Sequence, residues 1–246
     1  MICALVAQLD RALGYEPRGQ RFESSPVHFS PTIWGLMLYV FPSGPAETNA
    51  YLLACPATRR GVVIDVPFDS AQRLLDCALK HQITIEKILL THSHWDHIAE
   101  VVLLQRKAGD LPVFVHSKDA ENVKSPGSDR LPLLFPIPGV EPDFLLEEGQ
   151  EVILGELHIK VIHTPGHTPG GVCFYLEKEQ MLFSGDTLFK GTIGNLSFPT
   201  SSPDQMWSSL KRLALLPKET RVYPGHGEST TIGRESWIIN AQQRFK

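Results

Sequence analysis

The segment Thr91-His92-Ser93-His94-Trp95-Asp96-His97, placed directly after the apolar run Ile85 to Leu90, constrains this chain more than any other. In extended backbone, residues two apart face the same way, so His92 and His94 can present both imidazoles to one point. Asp96 and His97 are adjacent and diverge, which suits them, at the start of the helix expected over Ile98 to Lys107, to serve a second point. Such a loop matches divalent metal ions: imidazole suits zinc or iron, and carboxylate oxygens extend the range toward iron and manganese.

Three further loops repeat the form of a ligand-type residue after a strand, in a Gly/Pro turn that fixes its direction. They are His167 in HTPGHTPG, Asp186 in FSGDTLF and His226 in YPGHGE. One such histidine alone would be an ordinary surface residue; four loops in this order point to a metal centre. The remaining histidines read differently. His81 ends an amphipathic helix, where a cation complements the dipole. His158 should face solvent, His163 shares the inward parity of Leu157, Ile159 and Val161 and could support the site, and His116 ends a strand near it.

Strand-like runs cover Leu38 to Phe41, Thr48 to Ala54, Gly61 to Val66, Ile85 to Leu90, Pro112 to Val115 and Arg221 to Tyr223. Two hairpins are expected, Glu151 to Leu154 with Leu157 to Ile162 about Gly155-Glu156, and Gly171 to Glu177 with Met181 to Ser184. Helices are expected over Ser70 to His81, over Ile98 to Lys107, over Pro203 to Leu216 with Ser202 as its cap, and at the C-terminus. Residues from about Ser117 to Asp143, rich in Pro and Gly, read as one long loop. Strands followed by helices, twice over, predict two sheets packed face to face with helices outside, in one domain spanning 37–246.

Residues 1–36 have another texture, with no sustained period of 3.6 or 2. They read as a non-native or disordered extension that resembles the translation of a transfer-RNA gene, with Met37 as the expected true start.

At 42% hydrophobic residues the chain can bury a sizeable core. A net charge of −4 with no Lys/Arg run argues against a nucleic-acid partner. No apolar stretch approaches the ~20 residues of a membrane span. Neither CxxC spacing nor a dense framework links Cys3, Cys55, Cys77 and Cys173, so they fit reduced thiols in a cytoplasmic protein.

Taken together, the four loops resemble the metallo-β-lactamase superfamily, from about Thr48 to Gly227. The resemblance implies an α/β, four-layered αββα sandwich with two divalent metal ions, zinc first and iron or manganese compatible, at one edge. His92, His94 and His167 would hold one ion, Asp96, His97 and His226 the other, and Asp186 would bridge them. Asp96 would also act in catalysis by orienting a metal-bridging hydroxide for attack on a carbonyl.

An aspartate at position 186, where β-lactamase branches mostly lack it, together with TPGHTPGG and SGDTLFKGTIG, most resembles the glyoxalase II (hydroxyacylglutathione hydrolase) thioesterases. The implied substrate is a small-molecule thioester such as S-lactoylglutathione. In that branch a basic residue nine positions after the bridging aspartate, and often a tyrosine two further on, hold glutathione; here Asn195 and Ser197 stand there. The helical C-terminal domain of full-length glyoxalase II is not expected in the twenty residues after His226. Lys190 offers a substitute charge, and no substrate-binding residue is assigned. A mononuclear iron persulfide dioxygenase, or a lactonase or other ester hydrolase of the same fold, is the alternative.

Overall fold

The computed structural model describes residues 28–33 and 36–245, with side chains from Leu36 onward. One seven-stranded sheet runs in chain order: β1 (His28–Ile33), β2 (Leu36–Ser43), β3 (Thr48–Ala54), β4 (Arg60–Ile64), β5 (Thr84–Leu89), β6 (Val113–His116) and β7 (Phe144–Leu146). The pairs from β1 to β4 are antiparallel and those from β4 to β7 parallel. The change falls where helices begin to carry the chain back between strands, as parallel neighbours require. These are α1 (Ala71–Lys80), α2 (Trp95–Ile98), α3 (Val101–Ala108) and α4 (Ala120–Lys124).

The second sheet holds β8 (Glu151–Leu154), β9 (Leu157–His163), β10 (Val172–Leu176), β11 (Met181–Gly185), β12 (Arg221–Pro224) and β13 (Thr230–Thr231), in the order β13-β12-β11-β10-β9-β8. Between β11 and β12, its one parallel pair, runs α5 (Pro203–Leu213); α6 (Ala241–Arg244) closes the chain.

Successive strand residues point to opposite faces, so a strand buried at every position must be covered on both. Leu52 and Leu53 of β3, Val63 and Ile64 of β4, and Ile88 and Leu89 of β5 are all fully buried. Leu53, Ile64 and Leu89 meet Val161, Phe174 and Phe183 of the second sheet. Leu52, Val63 and Ile88 meet Leu74 of α1 and Leu104 of α3. On the far side Cys173 and Leu182 meet Met206, Leu210 and Leu213 of α5. The result is the expected four-layered αββα sandwich. No helix among the described residues is long and apolar enough to cross a membrane.

Just ahead of Met37, β1 pairs with β2, and Leu36 is buried in the core between the sheets. Residues 1–27 of the expected extension, with Cys3, lie outside the described residues. Several local expectations are corrected. The helix expected from Ile98 splits into α2 and α3 around Glu100, whose carboxylate turns away to accept the Ser70 and Ala71 N–H groups at 3.1 and 2.8 Å. Glu100 thus caps α1, the role its negative charge suits at a helix N-terminus. Ser202 precedes α5 but makes no side-chain cap; its N–H donates to Gly166 O at 2.7 Å. The expected 117–143 loop contains a 3-10 turn (Ser117–Asp119) and α4, and β7 follows it. His81 packs on Tyr39, and burial, then Lys80 and Arg59, lower its pKa, which disfavours the cation expected at the end of α1.

Candidate metal centre

Each site residue sits where a strand ends at one edge of the sandwich. β5 delivers the His92 to His97 segment, β9 the His167 loop, β11 Asp186 and β12 His226. Two glycines let these loops meet. Gly185 takes φ +48°, and a Cβ there would stand 2.7 Å from the Thr91 side chain; a Cβ at Gly225 would collide with Asp186 Oδ1. Across the sheet interface, Asn49 Nδ2 donates to the carbonyls of Pro224 and Gly227, both at 3.0 Å, and Tyr51 OH to Pro224 at 2.6 Å. These contacts of β3 fix the turn that carries His226.

All seven side chains expected at the centre come together. They form three overlapping groups, His92/His94/His167, His92/His97/Asp186 and Asp96/His97/His226, with the ligand atoms in each within 4.8 Å of one another. Asp186 lies between the two histidine sets, its Oδ2 3.4 Å from His167 Nε2 and 3.5 Å from His226 Nε2, and its Oδ1 3.4 Å from His97 Nε2. Asp96 Oδ2 is 3.3 Å from His226 Nε2 and accepts the Thr48 hydroxyl at 2.7 Å.

The donor chemistry fits metal ions. Nε2 of His92, His94, His97 and His167, and Oδ1 of Asp186, are buried without a hydrogen-bond partner among the described residues. Buried polar atoms are rarely left so, because each lost bond costs ~1–3 kcal/mol. On the opposite side of the rings, Nδ1 is held: His97 by Asp65 Oδ2 at 2.8 Å, His167 by Asn195 O at 2.8 Å, His226 by Ala46 O at 3.0 Å, and His92 by Thr91 Oγ1 at 3.1 Å. A proton fixed on Nδ1 by a carbonyl or carboxylate turns the Nε2 lone pair toward a metal.

Electrostatics divide the set. Burial, then the cationic His97 beside it, drives the His92 pKa well below its usual value; burial and His167 do the same to His94. Burial also opposes charge on His97 and His226, but Asp96 and Asp186 outweigh it, raising His97 to about 10 and His226 well above its ordinary value. Burial would raise both carboxylates, yet the same imidazolium groups hold Asp96 and Asp186 below the usual range. Without metal the second cluster is therefore an ion-paired set whose protons a cation replaces.

Two carboxylates were missed by sequence reasoning. Asp65, 1% exposed at φ +58°, accepts the Thr91 N–H and hydroxyl besides His97. Its signal was an acid ending the apolar run Gly61 to Ile64. Asp119 supports two loops at once, and its signal was only its place three residues past His116. His116 and His163 stack on each other at 4.0 Å instead of joining a metal cluster. Asn195 acts through its backbone on His167, while Lys190 is paired with exposed Glu228 at 2.5 Å.

The profile of the metallo-beta-lactamase superfamily matches residues 43–226. A Rhizobium etli protein named hydroxyacylglutathione hydrolase is 34% identical over 185 residues, 75% of this chain and 64% of that protein. The Bacillus subtilis "Probable metallo-hydrolase YqgX" is 29% identical over 194 residues, 78% and 90% of the two chains. Among solved structures, BLEG-1 B3 metallo-beta-lactamase superposes with TM-score 0.74 at 37% identity, covering 81% of this chain and 96% of that one. TTHA1623, in a di-iron-bound form, gives 0.70 at 39% identity, covering 80% and 96%. The matched segment supplies all seven converging side chains, and the chain belongs to the metallo-beta-lactamase superfamily as one of its metal-dependent hydrolases.

Proposed function

We propose that the protein is a dinuclear thioester hydrolase of the hydroxyacylglutathione hydrolase type. The observation that carries this reading is Asp186: one carboxylate within 3.5 Å of imidazoles from both clusters, suited to bridging two ions. The 34% identity to a hydroxyacylglutathione hydrolase supports the acyl class, and the di-iron form of TTHA1623 supports a two-ion centre; the mixed imidazole and carboxylate donors suit zinc, iron or manganese. His92, His94 and His167 would hold one divalent ion and Asp96, His97 and His226 the other, and such ions would supply hydroxide at neutral pH and polarise a carbonyl oxygen.

The chain's own residues do the rest. Asp96, ionised and held by the Thr48 hydroxyl, accepts a hydrogen bond from the nucleophile and so keeps its lone pair aimed at the carbonyl carbon. Phe198 packs edge-on against His94 and His167 at 5.2 and 5.5 Å, and Phe189 against His226 at 5.8 Å. These rings restrict water beside the reacting centre, where low polarity strengthens electrostatic stabilisation of the tetrahedral oxyanion. A glutathione anchor has weaker support: the Asn195 side chain accepts the Ser197 N–H at 2.8 Å, and Lys190 is neutralised by Glu228.

The likeness to BLEG-1 favours a second substrate class, β-lactams, whose amide carbonyl the same centre could attack. Metal content of the purified protein, with turnover of S-lactoylglutathione, of an acyl thioester lacking glutathione and of a chromogenic β-lactam, separates the readings. Two ions per chain with thioester turnover are expected. Lactam turnover without thioester turnover would overturn the thioesterase assignment, and a single iron with oxygen uptake would favour a persulfide dioxygenase.

A further inference from the structure

Asp119 lies outside the seven metal-site side chains, in the turn after β6, and is 2% exposed. Its two oxygens reach two ligand loops. Oδ2 accepts the N–H of Ser93, between His92 and His94, at 3.0 Å; Oδ1 accepts the N–H of Gly170, three residues after His167, at 2.6 Å. These loops hang from opposite sheets, one from β5 and one from β9.

The approach is close enough to demand glycine, since a Cβ at Gly170 would stand 2.5 Å from Asp119 Oδ1. Neighbouring residues reinforce both ends. Asn122 donates to the Ser93 carbonyl at 2.7 Å and to Asp129 at 2.9 Å. His116, in the same turn as Asp119, stacks on His163, whose Nε2 donates to Pro169 O at 2.9 Å. Bonds from N–H to an ionised carboxylate are roughly twice as strong as neutral ones, and a carboxylate can take one on each oxygen. An amide cannot, because its NH2 would face one of the two donors.

We propose that Asp119 is the positioning residue that sets the spacing of the His92/His94/His167 cluster, by tying the His92–His97 segment to the His167 loop across the sandwich. It touches neither metal nor substrate. Its effect falls on one ion of the two, and to that extent the inference rests on the two-ion reading above.

The test is titration of the metal-free full-length protein with Co2+, followed by its visible absorption. Wild type should bind in two steps, and the step that His167→Ala abolishes belongs to this cluster. In Asp119→Asn that step should weaken by about 10–100-fold, the range for lost partners of metal ligands, while the other stays unchanged. Gly170→Ala, which presses on Oδ1 from the opposite side, should give the same selective loss and serves if Asp119→Asn does not fold. Unchanged affinity, or equal weakening of both steps as a general loss of stability would give, overturns the proposal. Should wild type bind only one Co2+, the two-ion reading fails separately, and unchanged affinity for that ion in Asp119→Asn still overturns the positioning role.

Discussion

Oδ2 of Asp65 lies 2.8 Å from Nδ1 of His97, and both side chains are sealed from solvent. The aspartate therefore fixes which nitrogen of His97 carries a proton and which faces the centre. Asp65→Asn should weaken one of two bound ions by about 10–100-fold, read by competition with a chelating dye. Wild-type affinity in the variant would show that His97 is oriented by packing alone.

Asp186→Ala removes the carboxylate shared by both clusters. Metal content should fall from two toward one per chain and turnover by about 100-fold or more. Two tightly held ions with the wild-type rate would rule out a bridging role.

The metal-free protein keeps a proton on His97 up to about pH 10, because Asp96, Asp186 and Asp65 together overcome the cost of burying the charge. A cation must displace that proton, so apparent affinity should rise with pH by about ten-fold per unit for each proton released. Chelator competition at about pH 6.5 and pH 8 measures the slope; a flat response contradicts it. Stability of the metal-free form has the opposite sign. The contribution of His97 is complete below its unfolded pKa near 6.5 and is lost as pH rises through about 10. Without metal the melting temperature should decline in alkali.

Asn195→Arg places a cation where the resemblance to glyoxalase II implies a glutathione contact. The exposed pair it could form is worth about 1 kcal/mol, so KM for S-lactoylglutathione should drop several-fold with kcat unchanged. Unchanged KM, beside good turnover of a thioester lacking glutathione, would point to another acyl substrate.

Deleting residues 1–36 should leave metal content and turnover intact, since none of the seven converging side chains lies there. It should still lower the melting temperature: β2 loses its partner β1, and Leu36, 3% exposed, takes with it about 2 kcal/mol of burial. A large loss of turnover would tie this segment to the site.

The metal side chains were legible because all follow apolar strands, four of them within Thr91 to His97 and the other three in Gly/Pro turns, patterns confined to a few adjacent residues. Their supports were not. Asp65 and Asp119 bind residues 26 to 51 positions away, and nothing near either in the sequence names those partners. The strand β7 was hidden for another reason: Phe144 and Leu145 are about half exposed, so its three residues carry no alternation. Glu100 sits in a helical pattern yet serves the start of α1, a contact between elements that periodicity does not encode.

The seven side chains are drawn from both halves of the sandwich: His92, His94, Asp96 and His97 follow β5, whereas His167, Asp186 and His226 follow β9, β11 and β12. The centre is thus a fastening as well as a reactor. Ions bound only when the two sheets are closed on each other shift the folding equilibrium by mass action, about 2.7 kcal/mol for one ion at a hundred times its Kd. Metal supply then governs how firmly this end of the molecule stays shut, so scarcity would expose the protein to unfolding and proteolysis at the same moment that it silences the chemistry.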